Sequence, residues 1–129
     1  MPSSFFDRVK EMFKPGPLQP TKVSADFSIC AQLSEEHIAQ AKQLGFASII
    51  CNRPDNEESG QLNYAEMAQL AEKQGLKAAM VPVSQGSDPH SIGSAMARAL
   101  DDLPAPVLAY CRSGNRSNIA FNAAKPYRK

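Results

Sequence analysis

No run of apolar residues in this chain approaches the ~20 that a membrane-spanning helix needs. Nor does the N-terminus read as a signal peptide, because Asp7, Arg8, Lys10 and Glu11 interrupt any apolar core there. Cysteine is scarce: Cys30, Cys51 and Cys111 cannot all pair within one chain, and they lack the paired short spacings of a zinc site. No metal and no cofactor is therefore expected, and a reducing, cytoplasmic compartment is. Charge of one sign is lacking too. A formal net charge of +1 leaves no broad electrostatic footprint for nucleic acid, although a local basic site stays open. Internal repeats and low-complexity segments are absent.

What is present suits one compact domain: 129 residues, 43% hydrophobic and 21% charged. Phe5, Phe6, Val9, Met12 and Phe13 recur at helical spacing with charges between them. They predict a short amphipathic helix, with Ser4 as its N-cap, that packs on the domain or serves as a docking or membrane-surface element. The stretch "KPGPLQP" cannot continue a helix. Residues 1–20 thus read as an N-terminal helix and Pro-rich linker, and residues 21–129 as an α/β domain.

From Val23 onward the pattern is regular. "DFSICAQ", "FASIICN", "LKAAMVPV" and "APVLAYC" read as strands. Between and after them lie helical patterns with start and stop signals. Ser34 caps one that ends before Gly45; Asn63 with Glu66 opens one that ends before Gly75; Asp88-Pro89 opens a third; "SNIAFNAA" is the last. This alternation predicts a mainly parallel central sheet flanked by helices. Ligands of such sheets bind at the carboxyl ends of the strands. That rule groups the loops at 52–61, 84–91 and 112–116.

The last of these loops, "CRSGNRS", carries the chemistry. Cys111 ends a strand, and a helix is expected to begin at Ser117. Backbone N–H groups of Arg112, Ser113, Gly114 and Asn115 can curl into a concave nest, and the helix N-terminus adds unpaired donors and positive partial charge. A thiol there should ionise more readily than a free cysteine, and the thiolate is its nucleophilic form. Arg116 offers a planar fork for an oxyanion, Gly114 a backbone conformation closed to other residues, and Ser117 a hydroxyl able to exchange a proton with the sulfur. Cys30 and Cys51 sit in apolar runs and read as buried, inert thiols.

The loop resembles two families. Rhodanese-like sulfurtransferases separate cysteine and arginine by four residues, as here; tyrosine-phosphatase-like enzymes usually use five, which gives their loop one more backbone donor. The rest of the chain, over about 23–124, resembles the bacterial family of phosphatase-like domains also found fused to beta-lactamase-like hydrolases. Asn52, Arg53, Pro54, Asp55 and Glu57 fit that family's Asn-x-Arg-Pro-Asp-x-Glu motif with one position shifted; Pro82-Val83 fit its strand end, and "AYCRSGNRS" its active-site loop. The resemblance implies a tyrosine-phosphatase-like fold, with Cys111 as nucleophile and Arg116 as anion-binding arginine. Members of that family usually continue further past the last helix, which Pro126 stops here, so a truncated or divergent member is expected.

A phosphatase also needs a proton donor for the leaving oxygen. Asp88, in the loop after the Pro-Val strand, is one candidate, although a role as helix N-cap explains it fully. Gln85 is nearer the usual offset but cannot give up a proton. Asp55 is the other candidate, with turn chemistry as its alternative. Arg53 is expected either to bind the substrate anion or to pair with Asp55 or Glu57. His37 and His90 read as surface residues, His90 being the better placed as a partner for Cys111. Three activities remain open: a phosphatase-like hydrolase working through a phosphocysteine on a small anionic or phosphorylated substrate; a rhodanese-like sulfurtransferase working through a Cys111 persulfide; and a non-catalytic anion-binding module.

Overall fold

The computed structural model describes residues 16–129; the expected N-terminal helix lies outside them. Five strands form one sheet: β1 (Thr21–Ser24), β2 (Phe27–Cys30), β3 (Ser48–Cys51), β4 (Lys77–Met80) and β5 (Val107–Tyr110). Their order is β1-β2-β5-β3-β4. All neighbours are parallel except the β1–β2 hairpin. The sequence pattern did not mark β1, because all four of its residues are exposed and no apolar alternation can arise there.

Four helices flank the sheet: α1 (Glu35–Gln43), α2 (Tyr64–Lys73), α3 (Pro89–Asp102) and α4 (Asn115–Ala124), followed by a 3-10 turn at Lys125–Tyr127. The start signals act as expected. Asn63 accepts from the Glu66 amide at 2.8 Å, and Asp88 accepts from the Ser91 amide at 3.1 Å. Ser34 caps α1 reciprocally with His37, whose Nδ1 accepts from the Ser34 amide at 3.1 Å. That acceptor role places the ring proton on Nε2, which donates to the Gly16 carbonyl at 2.7 Å. Together with the Leu18 amide donating to Gln40 at 2.7 Å, it holds the last linker residues against α1. Among the described residues, no helix is long and apolar enough to cross a membrane.

The central strands β3 and β5 are buried on both faces. Their side chains alternate between two cores. Ile50, Val107 and Ala109 join Ile92, Met96, Leu100 and Phe121 beneath α3 and α4. Ile49, Cys51, Leu108 and Tyr110 join Ile38, Met67 and Ala71 beneath α1 and α2. Each such large apolar side chain contributes about 1.5–3 kcal/mol by leaving water. β5 sits at the centre of the sheet with both cores on it, and Cys111 directly follows its last residue, Tyr110.

Candidate active site

The last helix begins earlier than its sequence pattern suggests. α4 starts at Asn115, and its N-cap is Gly114 at φ +99° and ψ −16°. This left-handed turn needs glycine. It also folds the loop tightly over β2, where a Cβ on residue 114 would stand 3.4 Å from the Cys30 carbonyl oxygen. Ser117 is therefore in the first turn of α4, with its amide among the unpaired donors of the helix N-terminus.

Those donors converge on sulfur. The Gly114 amide donates to Cys111 Sγ at 3.0 Å. Cys111 is 1% exposed, and burial alone would push its thiol up. The amides of Ser117, Ser113, Gly114 and Arg116 outweigh burial and bring it below the ordinary thiol range. Cys30, in the neighbouring strand, goes the other way: burial, then the nearby charge of Cys111, pushes it up to about 12. Burial also raises Cys51, so both remain the inert thiols expected. Ser117 meets the sulfur through its amide; its buried hydroxyl has no hydrogen-bond partner among the described residues. The Asn115 amide turns to Ser113 Oγ at 3.4 Å, and the side chains of Arg112, Ser113 and Asn115 are exposed at the rim.

Arg116 is half-buried beside the thiol and aimed by two other loops. Its Nη1 donates to Glu57 Oε2 at 2.8 Å and to the Val83 carbonyl at 3.0 Å; its Nη2 donates to Glu57 Oε1 at 2.8 Å. This bidentate grip uses the end of the guanidinium. It leaves Nε–H and one Nη2 hydrogen on the side edge, a second fork for an oxyanion. Residues from the predicted loops at 52–61 and 112–116 thus meet at one place, together with Val83, which precedes the predicted loop at 84–91.

Glu57 is shared by two arginines. Arg53 Nε donates to its Oε1 at 2.9 Å, and the hydrogen bonds from Arg116 come first among the causes that hold its carboxyl down to about 2. Arg53 itself is 2% exposed, with Nη1 on Gln32 Oε1 at 3.0 Å and Nη2 on Glu58 Oε2 at 3.2 Å. Of the two pairings expected, the one with Glu57 is made and the one with Asp55 is not; Glu58 is its second acidic partner. The Arg116–Glu57 contact joins residues far apart in sequence, and no local spacing signals it.

The two expected proton donors have other tasks. Asp88 is exposed at the N-terminus of α3. Ser91 gives it two hydrogen bonds, Oγ at 2.9 Å and the amide at 3.1 Å, and these hold it below the usual carboxylate range. Asp55 Oδ1 accepts from the Tyr64 amide at 2.8 Å, at the start of α2. His90 meets Tyr127, with Nδ1 2.6 Å from the phenol oxygen. Gln85 lies exposed in the loop after Val83.

Comparison with known proteins places this geometry. The family model described as the phosphatase-like domain of beta-lactamase hydrolase-like proteins matches residues 21–126. No curated protein matches the chain. Among solved structures, a candidate phosphatase from Neisseria meningitidis Z2491 is 33% identical, with a TM-score of 0.71, over 78% of this chain and 71% of that one. A candidate phosphatase from Shewanella putrefaciens CN-32 is 16% identical, with a TM-score of 0.69, over 84% of this chain and 68% of that one. The core catalytic domain of the PP-IP phosphatase of S. cerevisiae, crystallised with citrate, is 17% identical, with a TM-score of 0.60, over 82% of this chain and 64% of that one. The last two share the fold.

Proposed function

The chain belongs to the family of phosphatase-like domains of beta-lactamase hydrolase-like proteins, and from that premise we propose that it is a cysteine-dependent phosphatase. One observation carries the reading: a buried thiol, lowered by four backbone amides at a helix N-terminus, lies within hydrogen-bonding reach of Arg116, whose grip on Glu57 leaves a fork of Nε–H and one Nη2 hydrogen. A phosphoryl group seated on that fork would bring phosphorus to the sulfur. The Cys111 thiolate attacks it, forming the S–P bond as the P–O bond to the leaving group breaks. Arg116 and the loop amides hold the equatorial oxygens, where negative charge is spread in the transition state. Water then breaks the S–P bond, releasing inorganic phosphate and regenerating the thiolate.

The test is hydrolysis of an aryl phosphate by wild type and variants. Cys111→Ser should abolish turnover. Arg116→Lys should lower kcat by roughly 10²–10³, since an ammonium cannot reproduce the fork. Equal activity in wild type and Cys111→Ser would sink the reading.

One feature favours a second reading, sulfur transfer: four residues, as in rhodanese-like loops, separate Cys111 from Arg116. Incubation with thiosulfate, then mass spectrometry, decides. A gain of one sulfur on Cys111, with thiocyanate released on adding cyanide and no phosphate hydrolysis, would replace the phosphatase reading.

A further inference from the structure

We infer that this site acts on phosphoryl groups whose leaving oxygen departs as a stable anion, phosphoanhydrides and acyl phosphates foremost, and not on phosphate monoesters of aliphatic alcohols. The inference rests on the phosphatase reading above and on where the acids around Cys111 and Arg116 are held.

A poor leaving group, such as an alkoxide, needs a proton delivered as the P–O bond breaks. The loop at 52–61 brings Asp55, Glu57 and Glu58. Asp55 accepts from the Tyr64 amide at 2.8 Å. Both oxygens of Glu57 receive guanidinium hydrogens, from Arg116 and Arg53. Glu58 accepts from Arg53 at 3.2 Å. All three are already engaged as acceptors of N–H donors, and none is seen donating towards Cys111. From the segment at 84–91 come Gln85, which is an amide; Asp88, which caps α3; and His90, which pairs with Tyr127. On the β2 side, His37 is tied into the α1 cap with its proton on the Gly16 carbonyl. Among the described residues, each of these carboxyl and imidazole groups is held by a partner other than Cys111.

The balance of the step is then simple. The sulfur electron pair forms the S–P bond, and the P–O pair leaves with the departing oxygen as a carboxylate, a phosphate or an acidic phenolate. No proton is required until water attacks the phosphocysteine; that water's proton passes to solvent as phosphate is released. With such substrates the site needs only what it has, the Cys111 sulfur, the Arg116 guanidinium and the loop amides for the phosphoryl oxygens.

The test measures kcat/KM of the full chain for a series of aryl phosphates of rising phenol pKa, together with acetyl phosphate, inorganic pyrophosphate and glycerol phosphate. For these substrates kcat/KM reports the steps up to S–P bond formation. It should fall by about tenfold for each unit of leaving-group pKa, the dependence of an unassisted departure. Acetyl phosphate or pyrophosphate should be hydrolysed, and glycerol phosphate should not; the faster of the first two tells an acyl phosphate from an anhydride site. Asp88→Asn keeps the cap of α3, because asparagine caps as well as aspartate, and Asp55→Asn keeps an oxygen to accept from the Tyr64 amide. Neither should change the slope, and Glu57→Gln should lower every substrate alike. A shallow slope overturns the inference while leaving the phosphatase reading standing. So does a variant that selectively loses the poorest leaving groups, since that residue would be the acid. Failure to hydrolyse even the most acidic aryl phosphate overturns both.

Discussion

Cys111 is a nearly inaccessible sulfur whose thiol the backbone amides bring below the ordinary range. Its neighbours Cys30 and Cys51 share its burial but not its amides, and they go up where it goes down. The difference lies in position relative to a helix N-terminus, since all three are the same chemical group. Titration of the wild type by thiolate absorbance should therefore find one thiol ionising below the ordinary range and two above it. The low step should vanish in Cys111→Ser; its persistence in that variant would assign the reactive thiol elsewhere. Glycine at 114 is part of the same device, because φ +99° closes this turn to a side chain and the Cys30 carbonyl stands close above it.

At the level of elements, the site depends on how α4 is seated. Its first turn carries the amides, and its other end is pinned to α3. Phe121 of α4 stacks on Phe27 of β2, with centroids 4.2 Å apart and planes 13° from parallel. Gly93 of α3 faces the Ala123 carbonyl so closely that a Cβ there would lie on that oxygen and 2.9 Å from the Tyr127 ring. Gly93→Ala should therefore destabilise by about 1–3 kcal/mol through overpacking, despite the better helix propensity of alanine. Ser94→Ala, at the exposed neighbouring position, should be neutral or slightly stabilising. Denaturant unfolding of the two variants makes the comparison; equal midpoints would mean that the crossing of α3 and α4 is looser than described. These helices were legible in the sequence because their caps are local chemistry. The start of α4 was not, because the pattern placed it at the first helix-compatible run and gave no sign that a left-handed glycine would begin the turn at Asn115.

Across the whole molecule, the Arg53–Glu57–Arg116 chain ties the loop after β3 to the loop after β5. Its carboxylate is held down to about 2, with the hydrogen bonds from Arg116 foremost, against about 4.3 for an unfolded glutamate. A depressed carboxyl stabilises the fold above its unfolded value, and that contribution disappears as pH falls through the folded value. Glu57→Gln should therefore cost stability at pH 7, and the gap to wild type should narrow as pH falls from about 5 towards 2. Unfolding midpoints of both proteins across that window test it; a gap independent of pH would remove Glu57 from the linkage. What the sequence determined by itself was the alternation of strands and helices, the parallel sheet and the cysteine–arginine loop at a strand end, because apolar periodicity, capping residues and loop spacing are all local. Tertiary structure decided the rest. It added the exposed edge strand β1, which carries no apolar signal. It made Asp88 the cap of α3, set Asp55 against the Tyr64 amide, and paired the buried Arg53 with Glu57. It also brought Glu57 onto Arg116, because only the order of strands in the sheet sets two distant loops side by side, and no spacing along the chain records that order.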